Sequence, residues 1–267
     1  MDLVLAVRNA LLTGLIATLA LVSAVDADSS LDAIRARGVL RVGVKADSPP
    51  FGYVTPNGHR AGFEVDLARL FARVLFGDDT RVEFVTVTTA TRFTALQTGR
   101  VDLVLATITL TGERRRLAEL SIPHFVSGSL LLVRRDSPVA GLGDLVGRRV
   151  AVVVGAVQER DLVESQPRAV VRPVDSVADG VRAVRSGQAD AFLYDDVVLL
   201  RLAQEDAALR VVGKPIRPRP YVVAAPSGEV ELIHWVNRWL AKIRRDGTYD
   251  DLWRHHFDAF ASRLVKG

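Results

Sequence analysis

A stretch that occurs twice constrains this chain more than any other feature. Ala95-Leu-Gln-Thr-Gly-Arg-Val-Asp102, followed by the apolar run Leu103-Val-Leu-Ala106, returns as Ala183-Val-Arg-Ser-Gly-Gln-Ala-Asp190, followed by Ala191-Phe-Leu-Tyr194. Each copy reads as a helix end stopped by a glycine (Gly99, Gly187), a tight turn, and then a short buried strand. Polar residues follow at once, Thr107 to Arg114 in the first copy and Asp195 and Asp196 in the second. In open α/β sheets, ligands bind just beyond the carboxyl ends of the strands. Two copies therefore predict two α/β lobes, each presenting a strand end to a shared cleft.

The rest of the pattern agrees. Leu31 to Arg37 reads as a short helix ending at Gly38, and Val39 to Val44 as a strand. Phe63, Leu67, Leu70, Phe71, Val74 and Leu75 make the apolar stripe of a helix over 63–76. A strand over 81–87 and a helix over 91–97 lead into the first repeat. From Arg148 the order begins again: strand 150–154, a helix from about Gln158, strand 170–174 and helix 178–185 lead into the second. Tyr221 to Ala225 reads as a last strand, followed by helices over 231–245 and 249–260. Alternating strands and helices point to mostly parallel sheets covered on both faces. Without a long linker, the lobes must be joined by short crossings, near Phe125-Val126 and Arg219-Pro-Tyr221.

Composition removes several function classes. The 35 Lys and Arg residues against 31 Asp and Glu are spread along the chain and not gathered into an aromatic-interleaved patch, which argues against a nucleic-acid partner. With no cysteine there is no disulfide framework, thiol nucleophile or cysteine-held metal. Five histidines (His59, His124, His234, His255, His256) show no ligand spacing, so neither a metal nor a cofactor is expected. Residues 1–27 differ from the rest. Arg8 precedes an apolar run from Ala10 to Val22, and small residues at Val22-Ser-Ala24 and Val25-Asp-Ala27 suit a cleavage site. That is the layout of an export signal, with an uncleaved anchor as the alternative. Without a cysteine at the cleavage site, a lipoprotein is not expected.

The landmarks Leu40-Arg-Val-Gly-Val44, Pro49-Pro-Phe51, Gly62-Phe-Glu-Val-Asp-Leu67, Thr109-Leu-Thr-Gly-Glu-Arg114, Ser121-Ile-Pro-His-Phe125, Asp144-Leu-Val-Gly147, Asp190 to Asp195 and Asp246-Gly-Thr-Tyr249 follow one another in an order and spacing that carry a family likeness. From about Leu40 to Phe257 the chain resembles the extracytoplasmic solute-binding proteins of ABC transporters, family 3, and among them the polar amino-acid binders. The resemblance implies a two-lobed Venus-flytrap fold with hinge strands, lobe one spanning 28–125 and 221–267 and lobe two 126–220. It further implies a monomer in the periplasm or outside the cell that captures an amino acid by hinge closure and delivers it to a membrane permease.

The binding set that the resemblance implies is Lys45, Phe51, Arg92, Thr107, Thr109, Arg114, Gly155, Val157, Gln158 and Asp195. Arg114 falls where the family's arginine holds the ligand α-carboxylate, a task for a planar two-pronged donor. Thr109 supplies a hydroxyl or backbone donor beside it, and Asp195 falls where a carboxylate receives the ligand ammonium, with Asp196 as the alternative. Gly155 to Gln158 matches a loop at a helix start whose N–H groups favour an anion. Lys45 stands where many relatives carry an aspartate, and Arg92 opens a cleft-facing helix. Two further cations in a desolvated cleft demand a second carboxylate, which selects glutamate or aspartate. Otherwise Lys45 reaches solvent and Arg92 pairs with Glu64 or Asp66. Val157, Gly112 and Leu120 depart from the family's usual serine or threonine, proline and aromatic. The rival reading is an exported cyclohexadienyl dehydratase on the same fold, with Glu159, Asp195 or Asp196 as the general acid; none of these acids stands in a recognisable catalytic pattern, so no catalytic residue is expected.

Overall fold

The structure, a computed structural model, describes residues 30–259, so the expected export segment at 1–27 and Phe260, the expected end of the last helix, lie outside the described residues. The chain runs through α1 (Ser30–Arg37), β1 (Leu40–Val44), β2 (Asp47–Ser48), β3 (Gly52–Val54), β4 (Arg60–Ala61), α2 (Phe63–Phe76), β5 (Val82–Thr86), α3 (Arg92–Gln97), β6 (Leu103–Thr109), β7 (Glu119–Leu120) and β8 (Phe125–Arg134). It continues with β9 (Arg149–Val153), α4 (Gln158–Ser165), β10 (Val170–Val174), α5 (Val177–Arg185), β11 (Ala191–Asp195), α6 (Asp196–Glu205), β12 (Leu209–Ala225), α7 (Val230–Arg245) and α8 (Thr248–Phe257). In α2 the spacing of Phe63, Leu67 and Phe71 buries one face, and Gly77 ends the helix in the left-handed region (φ 73°), its N–H closing on Arg73 O.

Nine strands form one mixed sheet with the path β10-β9-β11-β8-β12-β6-β1-β5 and β7 alongside β12. β1 is parallel to both β5 and β6, and β9 is parallel to both β10 and β11. These two parallel groups are the lobes. The antiparallel pair β8–β12 joins them, in register from Leu209↔Arg134 to Tyr221↔Phe125. The expected crossings are therefore neighbouring residues of two long strands. The expected strand Tyr221–Ala225 is only the end of the 17-residue β12. Its first part carries Pro215, Pro218 and Pro220, which cannot donate to a ladder, and register shifts after Val212 and after Ile216 accommodate them.

The repeat has a structural cause. In the first copy Asp102 N donates to Arg41 O (2.9 Å) while Arg41 N donates to the Asp102 carboxylate (2.7 Å). In the second, Asp190 N donates to Arg149 O (2.7 Å) while Arg149 N donates to the Asp190 carboxylate (2.8 Å). Each aspartate thus clamps the start of its lobe's central strand to the start of the strand beside it. Gly99 and Gly187, both left-handed (φ 64° and 71°), turn the preceding helix into that clamp. Strand direction, and with it the polar strand end, is fixed the same way in both lobes. Beneath the hinge, Phe51, Phe63, Phe125, Tyr221 and Phe257 pack edge-on and tilted, with centroids 4.7–6.4 Å apart.

Candidate functional site

The carboxyl ends of β6 and β11 face one another across the hinge, as the repeat predicts. Between them lies a narrow polar cavity, with about 10 Å³ of open volume, lined by Thr89, Arg92, Thr107, Thr109, Arg114, Ala156, Val157, Gln158, Tyr194 and Asp195. Lobe one supplies Thr89, Arg92 and the residues from Thr107 to Arg114, and lobe two supplies the rest. The lobes are in contact: Arg114 Nη2 donates to Gly155 O (3.2 Å), Arg160 pairs with Glu113 (3.0 Å), and Val177 N donates to Asp47 Oδ2 (2.9 Å). This is a closed cleft.

Arg114 opens a short 3₁₀ turn, Arg114–Arg116, and of its three arginines only Arg114 is buried. Its Nη1 donates to Thr109 O (2.8 Å), so the turn folds the guanidinium back beside the β6 end. Burial, reinforced by neighbouring Arg92, pulls Arg114 down to about 9, against the opposing pull of Asp195. Arg92 is 2% exposed. Its Nη1 donates to Ala106 O (2.6 Å) and Thr107 O (3.1 Å), while its buried Nε has no partner. It contacts neither Glu64 nor Asp66 by a hydrogen bond: Glu64 instead accepts Thr107 N with both oxygens (3.0 Å each) and meets His124 Nε2 (3.0 Å). That grip holds Thr107 at φ 48°, a left-handed conformation that a β-branched residue adopts only under constraint. The strain turns the Thr107 carbonyl onto Arg92.

On the other side, Asp195 ends β11 as the residue before α6. Gln158 Nε2 donates to its Oδ1 (2.8 Å) and to Ser129 Oγ (3.0 Å). Burial pushes the Asp195 carboxyl up to about 6, only partly offset by the nearby Tyr221 hydroxyl and the Gln158 amide. The Tyr221 hydroxyl is buried and closes no hydrogen bond of proper geometry. Asp196 plays a different part. Its oxygens accept Ser127 Oγ (2.6 Å), Gly128 N (3.0 Å) and Val197 N (2.8 Å), tying α6 to the hinge strand β8. Of the two aspartates, Asp195 is the one that lines the cavity.

The remaining expected residues divide. Thr107, Thr109, Val157 and Gln158 line the cavity. Gly155 is not part of the lining; it precedes Ala156 in the left-handed region (φ 78°), so close to Ala90 that an added Cβ would stand 3.3 Å from Ala90 Cα. Its carbonyl, not its N–H, is engaged, by Arg114. Phe51 is a correction: it lies outside the cavity lining, fully buried in the aromatic cluster beneath the hinge. Lys45 is another. It does not reach solvent, being 1% exposed, and its ammonium is met by Asp47 (3.3 Å) and Thr89 Oγ1 (3.3 Å), so the second cation of the cleft already has a carboxylate. Thr89, Tyr194, Tyr221 and Asp47 went unnoticed in the sequence. Asp47 was the accessible one, an opposite charge only two residues from Lys45. His255 and His256 do converge with Asp66, their ligand atoms within 4.8 Å, but Asp66 is already tied to Arg69 (2.6 Å) and to His256 (2.9 Å).

A two-lobed α/β protein with a polar cavity at the hinge, charged oppositely by its two halves, is a solute-binding protein by architecture. The chain belongs to the bacterial extracellular solute-binding proteins, family 3, which it matches over residues 40–259. It is similar to the ABC transporter glutamine-binding protein GlnH of Bacillus subtilis, 33% identical over 227 residues, covering 84% of this chain and 83% of that protein. Among solved structures, it superimposes on the solute receptor for L-cysteine of Neisseria gonorrhoeae with TM-score 0.83, at 28% identity, covering 88% of this chain and 96% of that one. The ancestral amino acid-binding protein AncCDT-1, a precursor of cyclohexadienyl dehydratase, gives TM-score 0.79 at 37% identity over 86% of this chain and all of that one.

Proposed function

We propose that the protein is an extracytoplasmic receptor that closes its lobes on one amino acid and hands it to the permease of an ABC transporter. The observation that carries this reading is the pairing of Arg114 in one lobe with Asp195 in the other, both buried on one small cavity. A zwitterion supplies the missing partner of each: its α-carboxylate suits the fork of Arg114, and its ammonium suits Asp195. Either lobe alone holds half of the ligand, so binding favours the closed form. On this reading 28–125 with 221–267 moves as one body against 126–220, and the working form is a monomer exported by residues 1–27. The relatives named as glutamine-binding and amino acid-binding proteins support it.

For the side chain we propose glutamate or aspartate. The cavity lining carries Arg92 and Arg114 against Asp195, two cations and one anion, and the buried Nε of Arg92 has no hydrogen-bond partner. A second reading, glutamine, is favoured by one observation: Lys45 is already neutralised by Asp47 and Arg92 is held by two carbonyls, so a neutral amide leaves less charge unmet. The test is mass spectrometry of the small molecule that co-purifies, followed by a thermal-shift panel on wild type and Arg92→Gln. Preference of the wild type for glutamate, lost in Arg92→Gln, supports the acidic reading; preference for glutamine or arginine overturns it. The dehydratase alternative places a raised carboxyl, Asp195, in the cleft. We assign that carboxyl to the ligand ammonium, and expect no turnover of arogenate.

A further inference from the structure

We propose that Asp47 couples closure of the lobes to the charge that the cleft presents to a ligand side chain. The inference rests on the amino-acid reading above. Asp47 sits on β2, in the small hairpin that lies over Lys45, and its two oxygens face different lobes. Oδ1 meets Lys45 Nζ (3.3 Å) and accepts from Ser48 Oγ (3.2 Å), both in lobe one. Oδ2 accepts Val177 N (2.9 Å), the first residue of α5 in lobe two. The helix's own cap, Ser176, serves Asp179 N instead (3.1 Å), so the Val177 N–H is left for Asp47. A carboxylate at this point also meets the positive end of the helix. The two residues are 130 positions apart and on opposite lobes, so this bond exists only when the cleft is shut.

The consequence for ligand choice follows from Lys45. It is 1% exposed, and an unpaired ammonium so placed is strongly unfavourable. Asp47 is the carboxylate that contacts it, and its other contact is Thr89 Oγ1, a residue of the cavity lining. With Asp47 present, the Lys45 charge is balanced away from the ligand, and Arg92 is left to read the side chain. With Asp47 neutral, Lys45 loses the carboxylate that keeps it charged, and an acidic ligand side chain one hydroxyl away is what can replace it. One carboxylate therefore serves as a latch through Oδ2 and as a mask through Oδ1.

Two variants separate the parts. Asp47→Asn keeps an oxygen for Val177 N but cannot neutralise Lys45. Asp47→Ala removes both contacts. Calorimetry with glutamate and with glutamine, and small-angle scattering with and without ligand, read the two effects. For Asp47→Asn we expect the glutamate-to-glutamine affinity ratio to rise at least tenfold, and the double variant Asp47→Asn with Lys45→Gln to restore it. For Asp47→Ala we expect glutamine affinity to fall roughly ten- to hundredfold, the scale of one lost charge-assisted hydrogen bond, with a smaller ligand-induced compaction. A ratio within twofold of wild type in Asp47→Asn, or full compaction in Asp47→Ala, overturns the proposal. A wild type that binds no amino acid in the panel sinks the receptor reading itself and this inference with it; a wild type that binds, with variants that match it, sinks the inference alone.

Discussion

Lowering the pH should weaken ligand binding through Asp195, by an amount that the structure sets. The ordinary value of this carboxyl is 3.8, and burial between the closed lobes raises it to about 6. An ammonium binds the ionised form, so below that value a proton must leave first. The ligand's own α-groups do not titrate between pH 5 and 8, which leaves the change to the protein. At pH 8 and pH 7 Asp195 is largely ionised and affinity should be flat. At pH 5 about one site in eleven is ionised, which lowers affinity roughly tenfold from its value at pH 7, or about 1.4 kcal/mol. Isothermal calorimetry with glutamine, whose side chain is neutral throughout, reads this directly. Asp195→Asn should bind far more weakly at every pH and show no such slope. The sign for stability is opposite to that of a salt-bridged acid. A folded value above the unfolded one contributes stability that is present at low pH and lost as pH rises from about 4 through 6. The ligand-free Asp195→Asn protein should accordingly melt higher than wild type at pH 7.5, because it no longer ionises a buried carboxyl. A flat affinity from pH 8 to 5, or a slope that survives in Asp195→Asn, would refute the reasoning.

Three other outcomes follow from the same geometry. Arg114→Ala should lose about 2–5 kcal/mol of binding, roughly thirty- to several-thousand-fold, with the fold intact by circular dichroism; a loss under fivefold by calorimetry removes Arg114 from the site. Gly155→Ala puts a methyl against Ala90 from a backbone conformation that disfavours it, so it should hold the lobes apart and weaken every ligand by about tenfold or more, whereas unchanged affinity means the closed contact is not needed. Saturating ligand should compact the wild-type protein in small-angle scattering, and an unchanged radius of gyration with proven binding refutes hinge closure.

Much of the fold was legible because its signals are local. The clamps at Asp102 and Asp190 are written into one repeated stretch, and the helix over 63–76 has the boundaries its apolar stripe predicts. The long strands that carry the crossings were not legible, since β8 carries Ser127-Gly128-Ser129 inside an apolar run and β12 carries three prolines. Neither shows the alternation of an ordinary strand, because pairing with each other and with both lobes overrides local preference. In the site, Arg114 and Asp195 could be placed because each ends a recognisable motif. The state of Lys45 could not, since its charge depends on Asp47 folding back in a hairpin, and the partners of Arg92 are carbonyls, which no sequence displays. Phe51 lies in the ordered landmark Pro49-Pro-Phe51, yet its ring packs below the hinge and not in the cavity.

The account turns on a zwitterion held between Arg114 and Asp195, and one comparison tests that directly. The tightest-binding amino acid of a calorimetric panel on ligand-stripped protein should be set against its N-acetyl and its α-amide derivatives. The account predicts one site per chain for the amino acid and a loss of at least a hundredfold for each derivative, since each removes the partner of one buried charge. Derivatives that bind as tightly as the parent would contradict it.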